Sequence, residues 1–183
     1  MSVEHLPTTA ATPAAAPGSG LIVRPATGDE AAALSELALR SKAWWGYSAS
    51  FLKACVQELT LTADDAARAV VVEVDGVVAG FHLLADTAGP VGELDMLFVD
   101  PPFIGAGVGR ILFEDARRRA SARGWSTMQV VADPQARTFY ERLGAEQVGE
   151  RLSRSVPGRS LPLFELTLRS PSAAGAPRAT YWR

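Results

Sequence analysis

Three glycines at alternate positions, Gly105, Gly107 and Gly109, lie between a strand-like run ending at Val99-Asp100-Pro101-Pro102 and a helix-like run that starts near Val108. Without Cβ atoms, such a backbone turns sharply and approaches a ligand closely. A helix that begins here aims unpaired N–H groups and its positive dipole end into the loop. Phosphate oxygens suit that arrangement. Three readings of the glycines compete at this point. A dinucleotide-binding turn has the spacing Gly-x-Gly-x-x-Gly after the first strand of repeated βαβ units, whereas this chain has Gly-x-Gly-x-Gly after a later strand. A nucleotide P-loop ends in Gly-Lys-Ser/Thr, whereas Arg110-Ile111 follows Gly109. The third reading is a plain strand-to-helix connection, and three alternating glycines exceed what a turn requires.

Two carboxylates precede the loop. Strand alternation places Glu93, Asp95, Leu97 and Val99 on one face and Leu94, Met96 and Phe98 on the other. If Glu93 and Asp95 share a cleft, their repulsion raises one pKa toward neutrality, which suits a general base. Cys55 lies on an apolar helix face and reads as a buried, inert thiol. His82 alternates with Phe81 and Leu83 in a strand. It reads first as a structural histidine and second as a group reaching an acceptor cleft.

The elements that position these groups follow from pattern. Leu21–Arg24 is a short strand. Thr27-Gly-Asp-Glu30 is a capping box, and the helix after it buries Leu34, Leu37 and Ala38. Trp44-Trp-Gly-Tyr47 interrupts, and Ser48 or Ser50 caps a second helix with Phe51, Leu52, Cys55, Val56 and Leu59 on one face. The β-branched runs Val70–Val74 and Val77–Leu84 flank Asp75-Gly76, a strong hairpin signal. A strand over Gly92–Val99, the glycine loop and a helix over Val108–Ala122 come next, with Gly124 at its C-terminal end. A strand over Ser126–Ala132, a short helix over Pro134–Leu143 and two strands near Ala145–Leu152 and Leu161–Leu168 complete the chain. The order βαα-βββ-αβα-ββ describes a mixed sheet with helices on its faces.

Composition narrows the function. The 183 residues suffice for one domain, with 48% hydrophobic and 21% charged residues. A net charge of −2 offers no broad basic surface for nucleic acid. One cysteine and two histidines, His5 and His82, make a metal site unexpected. No run is long and apolar enough for a membrane span, and residues 1–20 lack the basic and apolar regions of a secretory signal. The expectation is a cytoplasmic protein, with residues 1–20 a disordered arm, 21–169 the folded domain and 170–183 a flexible tail.

Residues Glu93–Gly109 and Asp133–Gly144 together resemble the GNAT superfamily of N-acetyltransferases, and the element order matches over residues 21–168. The resemblance implies an α+β fold: a central mixed, mostly antiparallel sheet of six to seven strands flanked by helices. It also implies acetyl-coenzyme A as co-substrate, held by a loop of the form Arg/Gln-x-x-Gly-x-Gly/Ala. Gly107 and Gly109 fill its glycine slots. Ile104 stands in the Arg/Gln slot, so backbone N–H groups of Gly105, Ala106, Gly107, Val108, Gly109 and Arg110 are left to hold the phosphates. The second family pattern, Asn-x-x-Ala-x-x-aromatic-Tyr-x-x-x-Gly, reads here as Asp133-Pro-Gln-Ala136-Arg-Thr-Phe139-Tyr140-Glu-Arg-Leu-Gly144. Asp133 replaces Asn, so its side chain accepts but does not donate. The resemblance places Asp133, Ala136 and Phe139 against the coenzyme, and Tyr140 where the family has the acid for the leaving thiolate. Backbone N–H groups of Leu97, Phe98 and Val99 are expected to polarise the thioester and pair with the pantetheine amides, exposed by a bulge that splays the strand edge.

The base expected by the resemblance is Glu93, acting through water, with Asp95 as second choice. Ser41-Lys-Ala-Trp44-Trp45-Gly46-Tyr47-Ser48 occupies the segment that closes over the acceptor in the family. At least one of Trp44, Trp45 and Tyr47 is expected to line that cleft, with Asp95 and His82 near it and the Pro157-Gly158-Arg159 turn closing the other side. The leading expectation is acetyl transfer to a primary amine, small-molecule or peptide, by direct attack in a ternary complex. The alternatives are a non-catalytic acyl-coenzyme A sensor and an interaction domain docking through Tyr181 and Trp182. The last two strands could also pair across a homodimer.

Overall fold

The computed structural model describes residues 20–168; the expected terminal arm and tail, with His5, Tyr181 and Trp182, lie outside the described residues. The β-branched runs pair as their alternation dictates. Strands β1 (Leu21–Pro25), β2 (Val70–Val74), β3 (Val77–Leu84) and β4 (Val91–Val99) form an antiparallel series. Helix α4 (Val108–Ala122) then carries the chain to β5 (Thr127–Val131), which runs parallel to β4. A hairpin of β6 (Glu146–Leu152) and β7 (Ser160–Thr167) adds to β5 through β7. The sheet has seven strands in the order β1-β2-β3-β4-β5-β7-β6, with β4 and β5 its one parallel pair.

Helices cover both faces. Leu34, Leu37 and Ala38 of α1 (Ala31–Ala43) and Cys55 of α2 (Ala49–Cys55) pack with Phe81, Leu83, Met96 and Phe98. Leu112, Phe113 and Ala116 of α4 pack on the opposite face. Leu94, Met128 and Phe164 meet them there, together with Tyr140 of α5 (Arg137–Arg142).

Two elements depart from expectation. A further helix, α3 (Ala63–Arg68), follows the second one. Its signal is Thr62-x-x-Asp65, whose side chains cap each other's backbone N–H groups. The second helix stops at Cys55, leaving Val56 43% exposed, and Leu59 returns to the core through turns.

The face assignment of β4 changes as well. Leu83 pairs with Met96 but Leu84 with Leu94, so Asp95 is an extra residue in β4. This bulge reverses the alternation. Leu94 and Leu97 both pack toward α4, whereas Met96 and Phe98 pack toward α1. Glu93 and Asp95 therefore do not share a face with Leu97 and Val99.

Candidate active site

The splay of β4 from β5 creates the site. The two strands pair at Val91–Thr127, Gly92–Met128 and Glu93–Gln129, and pairing ends there. From Leu94 onward β3 occupies one edge of β4, and the other edge has no strand partner. A cavity of about 860 Å³ opens between Leu94–Val99 of β4 and Val130–Asp133 at the end of β5. Its walls continue into the glycine loop, α1 and the turn between β6 and β7.

The glycine loop forms one end. Gly105, Gly107 and Gly109 line the cavity with Ile104 and Arg110. Gly107, the residue before α4, has φ +87°, which an L side chain rarely adopts. Gly109 has ordinary helical geometry but little room. A Cβ there would stand 3.2 Å from Phe139 Cε2 and 3.5 Å from Val99 Cγ2. Ala106 and Val108 do not line the cavity, and Val108 is buried against β2 and β3. A loop open to solvent, held by a left-handed glycine and feeding a fifteen-residue helix, fits a pyrophosphate bound through backbone N–H groups.

The carboxylates differ in surroundings. Glu93 Oε2 accepts from Arg151 Nη1 at 2.7 Å, and Arg151 Nη2 also donates to Gln129 Oε1 at 3.1 Å. Asp95 lines the cavity with no hydrogen-bond or ion-pair partner among the described residues. Desolvation in the cleft, and then the Glu93 charge, push the Asp95 carboxyl above the ordinary range; Arg154 partly offsets this.

Tyr140 reaches the cavity from α5. Its ring is 6% exposed and clasped by Phe139, Phe113 and Phe164 at centroid distances of 5.0, 5.9 and 5.8 Å. Burial pushes the phenol well above its usual pKa, so it keeps its proton. The hydroxyl makes no hydrogen bond to a described residue.

Asp133 is the most heavily bonded group of the site. It accepts from Lys42 Nζ at 2.7 Å, Tyr47 Oη at 2.7 Å, the Gln135 N–H at 3.0 Å and Arg159 Nη2 at 3.4 Å. Burial alone would raise its pKa, but the Lys42 ammonium, with the Gln135 N–H and the Tyr47 hydroxyl, outweighs that and holds it below the usual carboxylate range. Arg159 Nη2 also donates to Tyr47 Oη at 2.9 Å. Tyr47 stacks on Phe51 at 4.2 Å, with Lys42 and Arg159 both over the pair. Desolvation, with Asp133 beside it, pushes the Tyr47 phenol up to about 12. This cluster joins the α1–α2 segment to the β6–β7 turn across the end of β5. Lys42, Arg151 and Arg154 carried no signal as single residues, since only the fold brings them to the cleft.

Placement of the remaining aromatics is mixed. Trp45 lines the cavity and is 40% exposed, whereas Trp44, at 58%, points elsewhere and Tyr47 sits behind the wall. His82 does not reach the cleft. It pairs in register with Leu97 and faces α4, where its Nε2 donates to Asp115 Oδ2 at 2.9 Å. Arg118 and Arg119 hold the same carboxylate. Burial lowers the His82 pKa and keeps the ring neutral. The acceptor role expected for it is corrected to a structural one. Cys55 is buried, with Sγ 3.6 Å from Ser155 Oγ.

A match to the acetyltransferase (GNAT) domain covers residues 28–155, more than half of the chain. The chain belongs to the GNAT acetyltransferase family. A mycothiol acetyltransferase from Kytococcus sedentarius is 37% identical over 76 residues, which are 40% of this chain and 26% of that protein. The chain thus spans about a quarter of the length of the curated relative it matches. Among solved structures, the PaiA N-acetyltransferase of Thermoplasma acidophilum in complex with coenzyme A superposes with a TM-score of 0.68 at 18% identity, over 81% of this chain and 99% of that one. The putative acetyltransferase YncA of Salmonella typhimurium, with acetyl-CoA, gives 0.60 at 21% identity over 85% and 98%. The ribosomal-protein-S18-alanine N-acetyltransferase of Escherichia coli gives 0.60 at 19% over 89% and 100%. These likenesses show a shared GNAT fold. No described helix is long and apolar enough to cross a membrane.

Proposed function

We propose that this GNAT domain transfers acetyl from acetyl-coenzyme A to a primary amine by direct attack in a ternary complex. The observation that carries the reading is the gap between β4 and β5, with a left-handed glycine loop at one end and an unpaired carboxylate and a buried phenol on the wall of the same cavity. The Gly105–Arg110 backbone and the open edge of β4 at Leu97, Phe98 and Val99 would hold the co-substrate, which supplies an activated acyl group. Ala136 and Phe139 would flank its arm.

Asp95 is the base favoured by the surroundings, because Glu93 already serves Arg151. An ammonium ion has a pKa of about 10.4 and must lose a proton before it can attack. Asp95 accepts it and passes it to solvent. The amine nitrogen then bonds the acyl carbon, the carbon–sulfur bond breaks, and Tyr140 gives its proton to sulfur; the second proton, shed by nitrogen as it becomes an amide, restores the phenol. Amide N–H groups of the open β4 edge are suited to stabilise the charge that develops on the acyl oxygen. One acetyl group moves, one thiol is released, and one proton leaves to solvent.

The test is thermal stabilisation by acetyl-coenzyme A, followed by thiol release with a panel of amines. Stabilisation with turnover is expected. If no coenzyme A thioester binds at sub-millimolar concentration, the reading fails. Binding without turnover by any amine would favour the sensor alternative.

A further inference from the structure

The cations on the cavity wall are not equivalent. Lys42 and Arg159 are engaged by Asp133 and Tyr47, and Arg151 by Glu93 and Gln129. Arg110 stands on the glycine loop, at the phosphate end. Arg154 remains. It is exposed, lines the cavity from the β6–β7 turn, and has no hydrogen-bond or ion-pair partner among the described residues. Asp95 on β4 is likewise unpartnered among the described residues, as is Glu58 on the same wall. The unlike charges of Arg154 and Asp95 line the same cavity, yet they do not form an ion pair.

A protein that needed only to balance these charges would let them touch, as Glu93 and Arg151 do at 2.7 Å. Unpaired on the wall of one cavity, a guanidinium and a carboxylate match a ligand that carries both opposite charges. The planar fork of Arg154 suits a carboxylate, which it can bind through two parallel N–H bonds. The acceptor end is further confined, because the α1–α2 side and the β6–β7 turn touch through Cys55 and Ser155 and through Arg159 and Tyr47.

Resting on the transfer reading above, we propose that the acceptor is an amino-carboxylate, with its amine at Asp95 and its carboxylate on Arg154. Simple monoamines would leave Arg154 unpaired and add only positive charge beside it, so they make poorer acceptors.

The test measures binding and turnover separately on the full chain with coenzyme A present. Isothermal titration with the common amino acids, their carboxamides and the matching amines lacking the carboxylate is expected to favour at least one amino acid. Arg154→Gln is expected to weaken that amino acid by about tenfold to a hundredfold, the cost of a lost charge-assisted bond. It is expected to leave its carboxamide and coenzyme A affinity unmoved, while Arg154→Lys restores part of the loss. Equal binding of amino acids and carboxamides, no amino-acid binding, or an equal loss for both in Arg154→Gln would overturn the inference. Selective binding that depends on Arg154 but releases no thiol would leave it standing and sink the transfer reading instead. Turnover of plain amines indifferent to Arg154 would do the reverse.

Discussion

Asp95 is the extra residue of β4, and a bulge releases a side chain from the strict inward–outward rule of a strand. The same bulge separates its surroundings from those of Glu93. Glu93 is satisfied by Arg151, and Asp95 is not satisfied by any described residue. Asp95→Asn is therefore expected to lower kcat by about a hundredfold or more, the usual value of a positioned base. Glu93→Gln should cost less, acting through a released Arg151. The pH profile checks the assignment. A base works only when deprotonated, and desolvation, Glu93, Asp65 and Glu58 raise the Asp95 pKa against the opposing charge of Arg154. Activity should fall in acid along a limb above the ordinary aspartate value of about 3.9. If Asp95→Asn keeps that limb and its rate while Glu93→Gln loses both, the roles are reversed. Neither distinction was legible in the pair Glu93-x-Asp95, because alternation predicts one shared face and a bulge has no signature in those residues.

At the scale of elements, the loop and the helix after it act together. Gly107→Val forces a branched residue into φ +87°, and Gly109→Val drives atoms into the Phe139 ring. Both changes should abolish the thermal shift given by coenzyme A, and Ile104→Arg should enlarge it by adding a cation where the family carries one. An unchanged shift in Gly107→Val would remove the loop from the binding site. The entrance to α1 makes a second test. Glu30 accepts from the Thr27 N–H at 2.8 Å and pairs with Arg24 at 2.8 Å. Arg24 holds the Glu30 pKa down to about 2. A depressed carboxylate stabilises the fold above its unfolded pKa and stops doing so as pH falls through the folded one. The contribution should fade between about pH 4.3 and 2. The groups are partly exposed, so Glu30→Gln should cost ~1 kcal/mol at pH 7 and flatten stability across that window in acid denaturation. The Thr27–Glu30 signal was readable directly, as were α4 and the β2–β3 hairpin, because caps, turns and periodicity are local. The α3 cap at Thr62 and Asp65 is equally local, but a six-residue helix shows too little periodicity to stand out.

Across the whole molecule, Asp133 ties together parts distant in the chain. Lys42, Tyr47 and Arg159 converge on one carboxylate that is 11% exposed. Asparagine is the family residue at that position, yet Asp133→Asn here would leave two half-buried cations facing a neutral amide. Breaking a buried pair in this way costs about 3 kcal/mol, so a melting temperature lowered by several degrees is expected. A variant as stable as the parent would mean that the cluster contributes no net stability. The resemblance placed Asp133 against the coenzyme, whereas its bonds run to the acceptor-side walls.

The glycine spacing, the hairpin turn, the amphipathic α4 and the Asp133–Gly144 pattern together determine a GNAT fold and an expected co-substrate, since each depends on residues adjacent along the chain. The acceptor end is different. The meeting of Arg154 and Asp95 on one cavity wall, the capture of Glu93 by Arg151, the turning of His82 toward Asp115 and the Lys42–Asp133–Arg159 cluster all join residues far apart in sequence. Their partners are chosen by strand register and by one bulge. A one-residue shift of register exchanges the faces of a strand, and that choice is made by packing across the sheet.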